Sequence, residues 1–454
     1  MSQMGHDLIL ILPQIIVLLT AVMALVFEML RKPYGSLSAL ILGMLAAMTL
    51  SLSRLGLEAT AFSETFRVDA LNHWSVIILC PASVLLALLA RSELRGTDRE
   101  GTIYSLIAFS TLGSLLLAGS GDVMFLVLGV LMNSLSGFAL AAYPKTDRAT
   151  EGAMKYFVYG SVTGAIMIFG LTYWVGITGS TLLASLNDPA LEPLPVIFGL
   201  VALIVGISYA ASIFPFHFWT PDTFEGAPVS IAAYLSVIPK VGAVYALAQV
   251  AREIPAELIN WPLIVAILAV LSMTFGNVVA LWQQNLVRLL AYSTVAQAGY
   301  FLLGVVAMQQ SSLAEQSLVI FGIAYAIMNT GAFAIVLTQG TKIEDFQGVG
   351  KVHPWMGVAM TIFLFSLVGI PPLAGFAGKF LLFGAAIDSH FTWLAIAAIL
   401  NSVVSLAVYL RIIVPIFYRK VSTDGVTYSQ LVSFVWIFCL FFTFLVGLGV
   451  QVFL

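Results

Sequence analysis

The chain has 454 residues, 60% hydrophobic and only 9% charged, with a formal net charge of -3 and a mean hydropathy of +1.03. Soluble domains carry about 25% charged residues, so this composition excludes a water-solvated globular protein and requires solvation by lipid. The charge balance points to no nucleic acid, and the two cysteines, Cys80 and Cys439, lie in separate apolar runs that form no disulfide or metal framework.

Windows of about 20 apolar residues predict an all-α, polytopic membrane protein with fourteen spans. The first seven cover approximately 8–29, 34–53, 70–90, 102–119, 121–143, 155–177 and 194–216. The first run lacks a basic leader and is long enough to cross a bilayer, so it reads as a retained helix rather than a cleaved signal. The seventh span contains Pro215, whose ring removes a backbone donor and breaks or kinks a helix. Pro221 and Pro228 then bracket a short acidic link that carries Asp222 and Glu225.

The second seven spans cover approximately 228–250, 261–282, 286–307, 315–338, 355–388, 392–418 and 428–453. The twelfth is too long for one straight helix and contains Pro371 and Pro372, so it is expected as two half-helices joined by irregular backbone. Loops are short throughout, and residues 1–454 read as one membrane domain.

Basic residues are distributed unevenly between the loops. Those after odd-numbered spans hold Arg31, Lys32, Arg91, Arg95, Arg99, Lys145, Arg148, Lys155, Arg288, Lys342, Lys351, Arg419 and Lys420, with Arg411 facing the same side. Those after even-numbered spans hold Arg54, Arg67 and Arg252. The positive-inside rule predicts a cytoplasmic location for the odd loops and an outer location for both termini. Spans four to eight (102–250) and nine to thirteen (261–418) each have a broken fourth member, with spans one to three and fourteen peripheral. A unit repeated after an odd number of crossings is inverted, as in secondary transporters.

Lys240 falls about 12 residues into the eighth span and Lys379 follows the break in the twelfth. An intramembrane charge costs roughly 2.5–3.5 kcal/mol even on gentle insertion scales, so each is a functional candidate. A dry pocket eases loss of a lysine's proton, which points to proton carriage; the alternative for each is a headgroup contact or a structural helix end. Polar residues nearby form a candidate hydrated path: Asn133 and Ser134; Ser208, Tyr209 and Ser212; Tyr234 and Ser236; Tyr292, Ser293, Thr294, Gln297 and Tyr300; Asn329 and Thr330. Singly, such residues serve as interhelical packing and hydrogen-bond glue. His217, beside Trp219, and Asp222 are candidates for proton uptake or for anchoring the loop. The five histidines have no metal-binding spacing, and there is no nucleotide motif, flavin box or cysteine cluster.

The run from Phe214 to Pro228, Phe-Pro-Phe-His-Phe-Trp-Thr-Pro-Asp-Thr-Phe-Glu-Gly-Ala-Pro, closely resembles the signature of the N subunit of bacterial complex I, mitochondrial subunit 2. Leu289-Leu-Ala-Tyr-Ser-Thr-Val-Ala-Gln-Ala-Gly-Tyr300, Gly369-Ile-Pro-Pro and Gly375-Phe-Ala-Gly-Lys-Phe380 fit the same family. The wording Trp-Thr-Pro-Asp with Gly-Ala-Pro favours N subunits over their L and M relatives. The resemblance implies an antiporter-like, non-redox subunit of the membrane arm of proton-pumping NADH:quinone oxidoreductase in a bacterial cell inner membrane. Its implied partners are other membrane-arm subunits and the lipid bilayer. Flavin, iron–sulfur clusters and the quinone site are expected in other subunits, with no cofactor here. Two positions depart from the family pattern. Leu131 stands where a fifth-helix glutamate belongs, and Ala210 where a seventh-helix lysine belongs. Losing both together is coherent, because losing one would strand an unpaired charge. A subunit of a multisubunit cation/proton antiporter or membrane-bound hydrogenase is the alternative within transport, and a non-conducting scaffold the alternative outside it.

Overall fold

The computed structural model describes residues 3–188, 191–255, 258–418 and 429–453. Its helices, in chain order, are α1 Gln3–Leu10, α2 Leu12–Met29, α3 Pro33–Leu52, α4 Ala70–Leu94, α5 Glu100–Ala118, α6 Val123–Ala141, α7 Asp147–Thr178, α8 Pro193–Ala211 and α9 Trp219–Gly226. There follow α10 Val229–Ala251, α11 Trp261–Ala280, α12 Leu286–Val306, α13 Leu313–Gln339, α14 Val349–Val352, α15 Pro354–Val368, α16 Ala374–Asp388, α17 Thr392–Tyr418 and α18 Gln430–Phe453. Among the described residues, 13 helices are long and apolar enough to cross a membrane. The shorter α15 and α16 are the two halves of one further span.

Short polar side chains just ahead of the apolar runs set where many helices begin. Asp69 accepts from Asn72 N at 2.9 Å, Asp122 from Met124 N at 2.6 Å and Asn285 from Arg288 N at 3.0 Å. Each satisfies an amide that the first turn leaves without a partner. Glu93, on α4, does the same from a distance: its carboxylate accepts from Val229 N at 2.9 Å and Ser230 N at 2.8 Å, capping α10.

Both expected helix breaks are present, and proline chemistry fixes their positions. A proline ring collides with the carbonyl four residues earlier. Accordingly α8 stops at Ala211, four residues before Pro215, and α15 stops at Val368, four before Pro372. Ser212 and Gly369 then turn the chain with φ of 57° and 95°. Each break is thus a stop, not a kink.

Burial is sorted radially. α10 is buried along nearly its whole length, and α12 and α13 almost as fully, whereas α2, α3, α7 and α18 present exposed leucine, isoleucine and phenylalanine side chains. This is the arrangement expected of a bundle bathed in lipid, with its polar side chains turned inward. One end of the bundle is tied by Lys155–Asp222, Arg288–Asp222 and Arg288–Glu225 ion pairs. The other is tied by Arg252, which reaches Asp69 at 2.6 Å and Glu315 at 2.5 Å, and by Arg67 with Glu253.

The structure adds features that hydropathy windows do not show. A hairpin, β1 Ala59–Ala61 with β2 Phe66–Val68, lies between the second and third spans. Its strands are too short to display a period of two. The sixth span begins at Asp147 rather than 155, because Thr146 caps a polar first turn outside the apolar window. Arg91, assigned by hydropathy to a loop, belongs to α4, where it is buried and paired with Glu100. Arg411 donates to carbonyls at the end of α11, those of Ala280, Leu281 and Gln283. Arg419 and Lys420 lie outside the described residues.

Candidate functional site

The two buried lysines occupy equivalent chemical settings. Lys240 projects from α10, and its ammonium donates to the hydroxyl of Ser212, the residue that ends α8. Ser212 Oγ lies 2.6 Å from Thr220 Oγ1 across the break. Lys379 projects from α16 and donates to Val368 O, the last carbonyl of α15, at 3.0 Å and to Ser402 Oγ at 3.3 Å. Each cation therefore sits at the C-terminal end of a half-helix, where unpaired carbonyls and the helix dipole favour positive charge by up to about 2 kcal/mol.

Aromatic rings complete both pockets. Lys240 Nζ is 4.9 Å from the centroid of Trp219 and 5.7 Å from that of Phe224, and Lys379 Nζ is 3.6 Å from that of Tyr300. A desolvated cation–π contact contributes about 2 kcal/mol. Dipole and ring together are on the scale of the roughly 2.5–3.5 kcal/mol that burying the charge costs. Among the described residues no carboxylate lies within ion-pair distance of either lysine.

Between them runs a series of polar side chains on the three most buried helices. Ser236 is one turn from Lys240 on α10, on the same face. Its hydroxyl accepts from Asn329 Nδ2 at 2.6 Å, and its carbonyl from Tyr325 OH at 2.8 Å. Tyr325 OH also lies 3.3 Å from Thr294 Oγ1 on α12. Gln297, on the following turn, donates to Leu367 O at 3.1 Å, satisfying another carbonyl at the end of α15. Ser293 Oγ is 2.6 Å from Tyr409 OH. Tyr300, three residues beyond Gln297, has its hydroxyl 3.0 Å from Ser402 Oγ and its ring against Lys379. Ser208 Oγ, Thr330 Oγ1 and Gln297 Oε1 are buried without a protein partner; buried polar atoms of this kind are ordinarily satisfied by water.

The other candidate residues fall elsewhere. Asn133 bonds Ser110 and Ser114 at 3.0 and 2.8 Å, and Tyr234 bonds Thr111 at 3.0 Å, which in turn lies 2.7 Å from Ser83. These form a second polar cluster, between α4, α5, α6 and α10. Ser134 is buried on α6. Tyr209 is spent on structure: its hydroxyl donates to Tyr156 O and its carbonyl accepts from Trp219 Nε1, both at 3.1 Å. Tyr292 is half-buried near Arg288 and Phe275, off the series. His217 is buried among Phe214, Phe218 and Phe275, with Nδ1 unpartnered. Asp222 is the hub of an ion-paired clamp, 2.7 Å from Lys155 and 2.5 Å from Arg288. Burial raises its pKa, but hydrogen bonds from Lys155 and Arg288 outweigh burial and hold the carboxyl below its ordinary value. Leu131 is exposed on α6, and Ala210 is packed inside the bundle. Sequence reasoning missed Thr220, Tyr325, Tyr409 and Ser402. A Tyr325–Asn329 pair at four-residue spacing was a detectable signal; nothing distinguishes Ser402 from an ordinary packing serine.

Two sets of five spans, each with a broken fourth member, and buried cations held at the broken ends define an antiporter-like membrane protein. Residues 120–405 match the family described as NADH:quinone oxidoreductase/Mrp antiporter, TM, and the chain belongs to that family. It is 36% identical over 437 residues to the F(420)H(2) dehydrogenase subunit N of Methanosarcina mazei, covering 90% of this chain and 87% of the relative. It is 35% identical over 434 residues to the NADH-quinone oxidoreductase subunit N of Paramagnetospirillum magneticum, covering 91% and 89%. A chain of respiratory complex I from Thermus thermophilus with bound aureothin superposes with a TM-score of 0.85 at 28% identity, covering 97% of both chains.

Proposed function

We propose that the chain is a non-redox, proton-translocating subunit in the membrane arm of a complex I-type quinone oxidoreductase, and that Lys240 and Lys379 are the proton-loading groups of one lateral route. The observation that carries this reading is the pair of buried lysines, each held at the end of a half-helix, with Ser236, Asn329, Tyr325, Thr294, Gln297 and Tyr300 between them. Each pocket stabilises an ammonium with dipoles and rings instead of a fixed carboxylate. A proton can then leave without stranding an unpaired anion. Water at Ser208, Thr330 and Gln297 would complete the series. Quinone, flavin and iron–sulfur chemistry is assigned to other subunits, and the odd-numbered loops to the cytoplasm of a bacterial cell, with both termini outside.

A second reading rests on Leu131 and Ala210. With an exposed leucine and a packed alanine in place of the family's ion pair, the uptake half of the route lacks its charged switch. The subunit then serves as a relay or scaffold between neighbours. Proton pumping by the assembled complex in proteoliposomes, wild type against Lys240→Ala, separates the two. The proton-route reading expects normal subunit content with pumping and quinone reduction both reduced. Wild-type pumping in the variant would leave only the scaffold.

A further inference from the structure

At the end of the bundle carrying the odd-numbered loops, the α2–α3 and α4–α5 turns enclose a cavity of about 800 Å3, lined by Glu28, Arg31, Asp98, Arg99, Leu25 and Met29 among others. That volume is within the usual range for small-molecule sites of about 300–1,000 Å3. The proton route does not use this cavity. We propose that it binds the headgroup of a zwitterionic aminophospholipid of the phosphatidylethanolamine kind.

The charges around the cavity divide into spent and unspent groups. Glu100 is spent: it takes Arg91 and the Tyr104 hydroxyl on one oxygen and Gly96 N, at 3.0 Å, on the other. Glu28 gives one oxygen to Gly101 N at 2.9 Å, which leaves the second. Arg31 and Arg99 are exposed, each in a turn with φ of 56° and 58°, and no ion pair among the described residues uses either. The Asp98 carboxylate is likewise unpaired; only its backbone carbonyl is taken, by Tyr143 OH. Two open guanidiniums and two carboxylates with open oxygens face one cavity. An anion alone would be repelled by the carboxylates, and a cation alone by the arginines. A headgroup with a phosphate and a primary ammonium a few bonds apart meets both.

The surroundings place that headgroup at a bilayer boundary. Leu25, Met29, Leu30 and Tyr34 are exposed apolar side chains beside the cavity, and Tyr34 is steadied by Arg95 Nη2 at 3.1 Å and by Arg91 over its ring at 4.1 Å. An acyl chain leaving the cavity along α2 would cover this surface. Basic pockets at the ends of transmembrane helices are established lipid-headgroup sites; the carboxylates here add selection for the ammonium.

The test is native mass spectrometry of the purified, delipidated full chain with phosphatidylethanolamine, phosphatidylcholine or phosphatidylglycerol of identical acyl chains. The ethanolamine lipid is expected to be retained about fivefold better than the glycerol lipid, which lacks the ammonium, since one charged contact near the surface corresponds to that factor. It is also expected to be retained better than the choline lipid, whose quaternary ammonium has no N–H to donate to the carboxylates. Asp98→Asn should erase its advantage over the glycerol lipid. Arg99→Gln should lower retention of both by about fivefold, and Arg31→Gln reads the same contact should Arg99→Gln fail to elute as a folded species. Equal retention of all three lipids, or retention unchanged in every folded variant, overturns the proposal. So does complete displacement by water-soluble glycerophosphoethanolamine at the lipid's own concentration, which would make the site one for a free phosphoester.

Discussion

Asn329 donates to Ser236 Oγ across 2.6 Å, and this bond fastens the helix of Lys240 to the helices that lead to Lys379. Asn329 also lies 3.4 Å from Tyr325 OH, so one amide organises both polar contacts that Ser236 makes with α13. Replacing it with leucine keeps the volume and removes the donor.

For Asn329→Leu the expected outcome is a complex that assembles but pumps about tenfold more slowly, the kinetic equivalent of losing one buried hydrogen bond. The measurement is proton uptake by proteoliposomes together with subunit content. Wild-type pumping would mean that protons bypass α13, and the series between the lysines would then be packing alone.

Tyr300 holds Lys379 in two ways that substitution can separate. Its ring lies 3.6 Å from the ammonium, while its hydroxyl is hydrogen-bonded to Ser402. Tyr300→Phe retains the ring, and turnover is expected within about twofold of wild type. Tyr300→Leu loses a desolvated cation–π contact worth about 2 kcal/mol, so quinone-coupled pumping is expected to fall by more than tenfold. Equal effects of the two variants would assign the role to the hydroxyl.

Much of the fold was legible in the sequence because bilayer crossing imposes a long apolar run, and proline marks where such a run must stop. Pro215 and Pro372 determined both helix ends, and the deep lysines stood out against an uncharged background. The contacts that give those lysines meaning were less legible. No local pattern says that Lys379 will meet Val368 O, because that contact depends on how α16 folds back on α15. Likewise Asp222 reads as a loop residue until α7 and α12 bring Lys155 and Arg288 to it. Hydropathy also hid Arg91, since one charge at the end of a helix looks the same as one in the loop beyond it.

The clamp at Asp222 carries a pH dependence whose sign follows from its depressed pKa. A carboxyl with a folded value below its unfolded one contributes stability above the unfolded value, and that contribution is lost as pH falls through the folded value. The ordinary value here is 3.8. At neutral pH, Asp222→Asn is expected to melt about 0.5–2 °C below wild type, consistent with two half-exposed ion pairs of roughly 0.2–1 kcal/mol each. Below the ordinary value the difference should narrow, and it closes as pH passes the depressed folded value. Thermal melting of both proteins in detergent across the acid range checks it. A gap that widens with acidification would show that Asp222 acts as a hydrogen-bond donor instead.

The break between α15 and α16 depends on a close backbone approach at Gly375. A Cβ there would come within 1.7 Å of Ser366 O, while Gly375 N donates to Ser366 Oγ at 3.0 Å. The start of α16 therefore packs directly on the last turn of α15, which sets where Lys379 can reach Val368 O. Gly375→Ala must push the half-helices apart, with an expected loss of at least about 1–3 kcal/mol of stability and of pumping along with it. Gly384, farther along the same helix, is the control: its Cβ would meet only Leu313 Cδ1, at 3.4 Å. Gly384→Ala is expected to be neutral or to gain up to about 1 kcal/mol from helix propensity. Melting temperature and turnover of the two variants, measured side by side, decide the matter. If both behave like wild type, the break opens freely and the contact between Lys379 and Val368 is not held by backbone packing. If Gly375→Ala alone loses both, close packing of the half-helices is what positions the lysine.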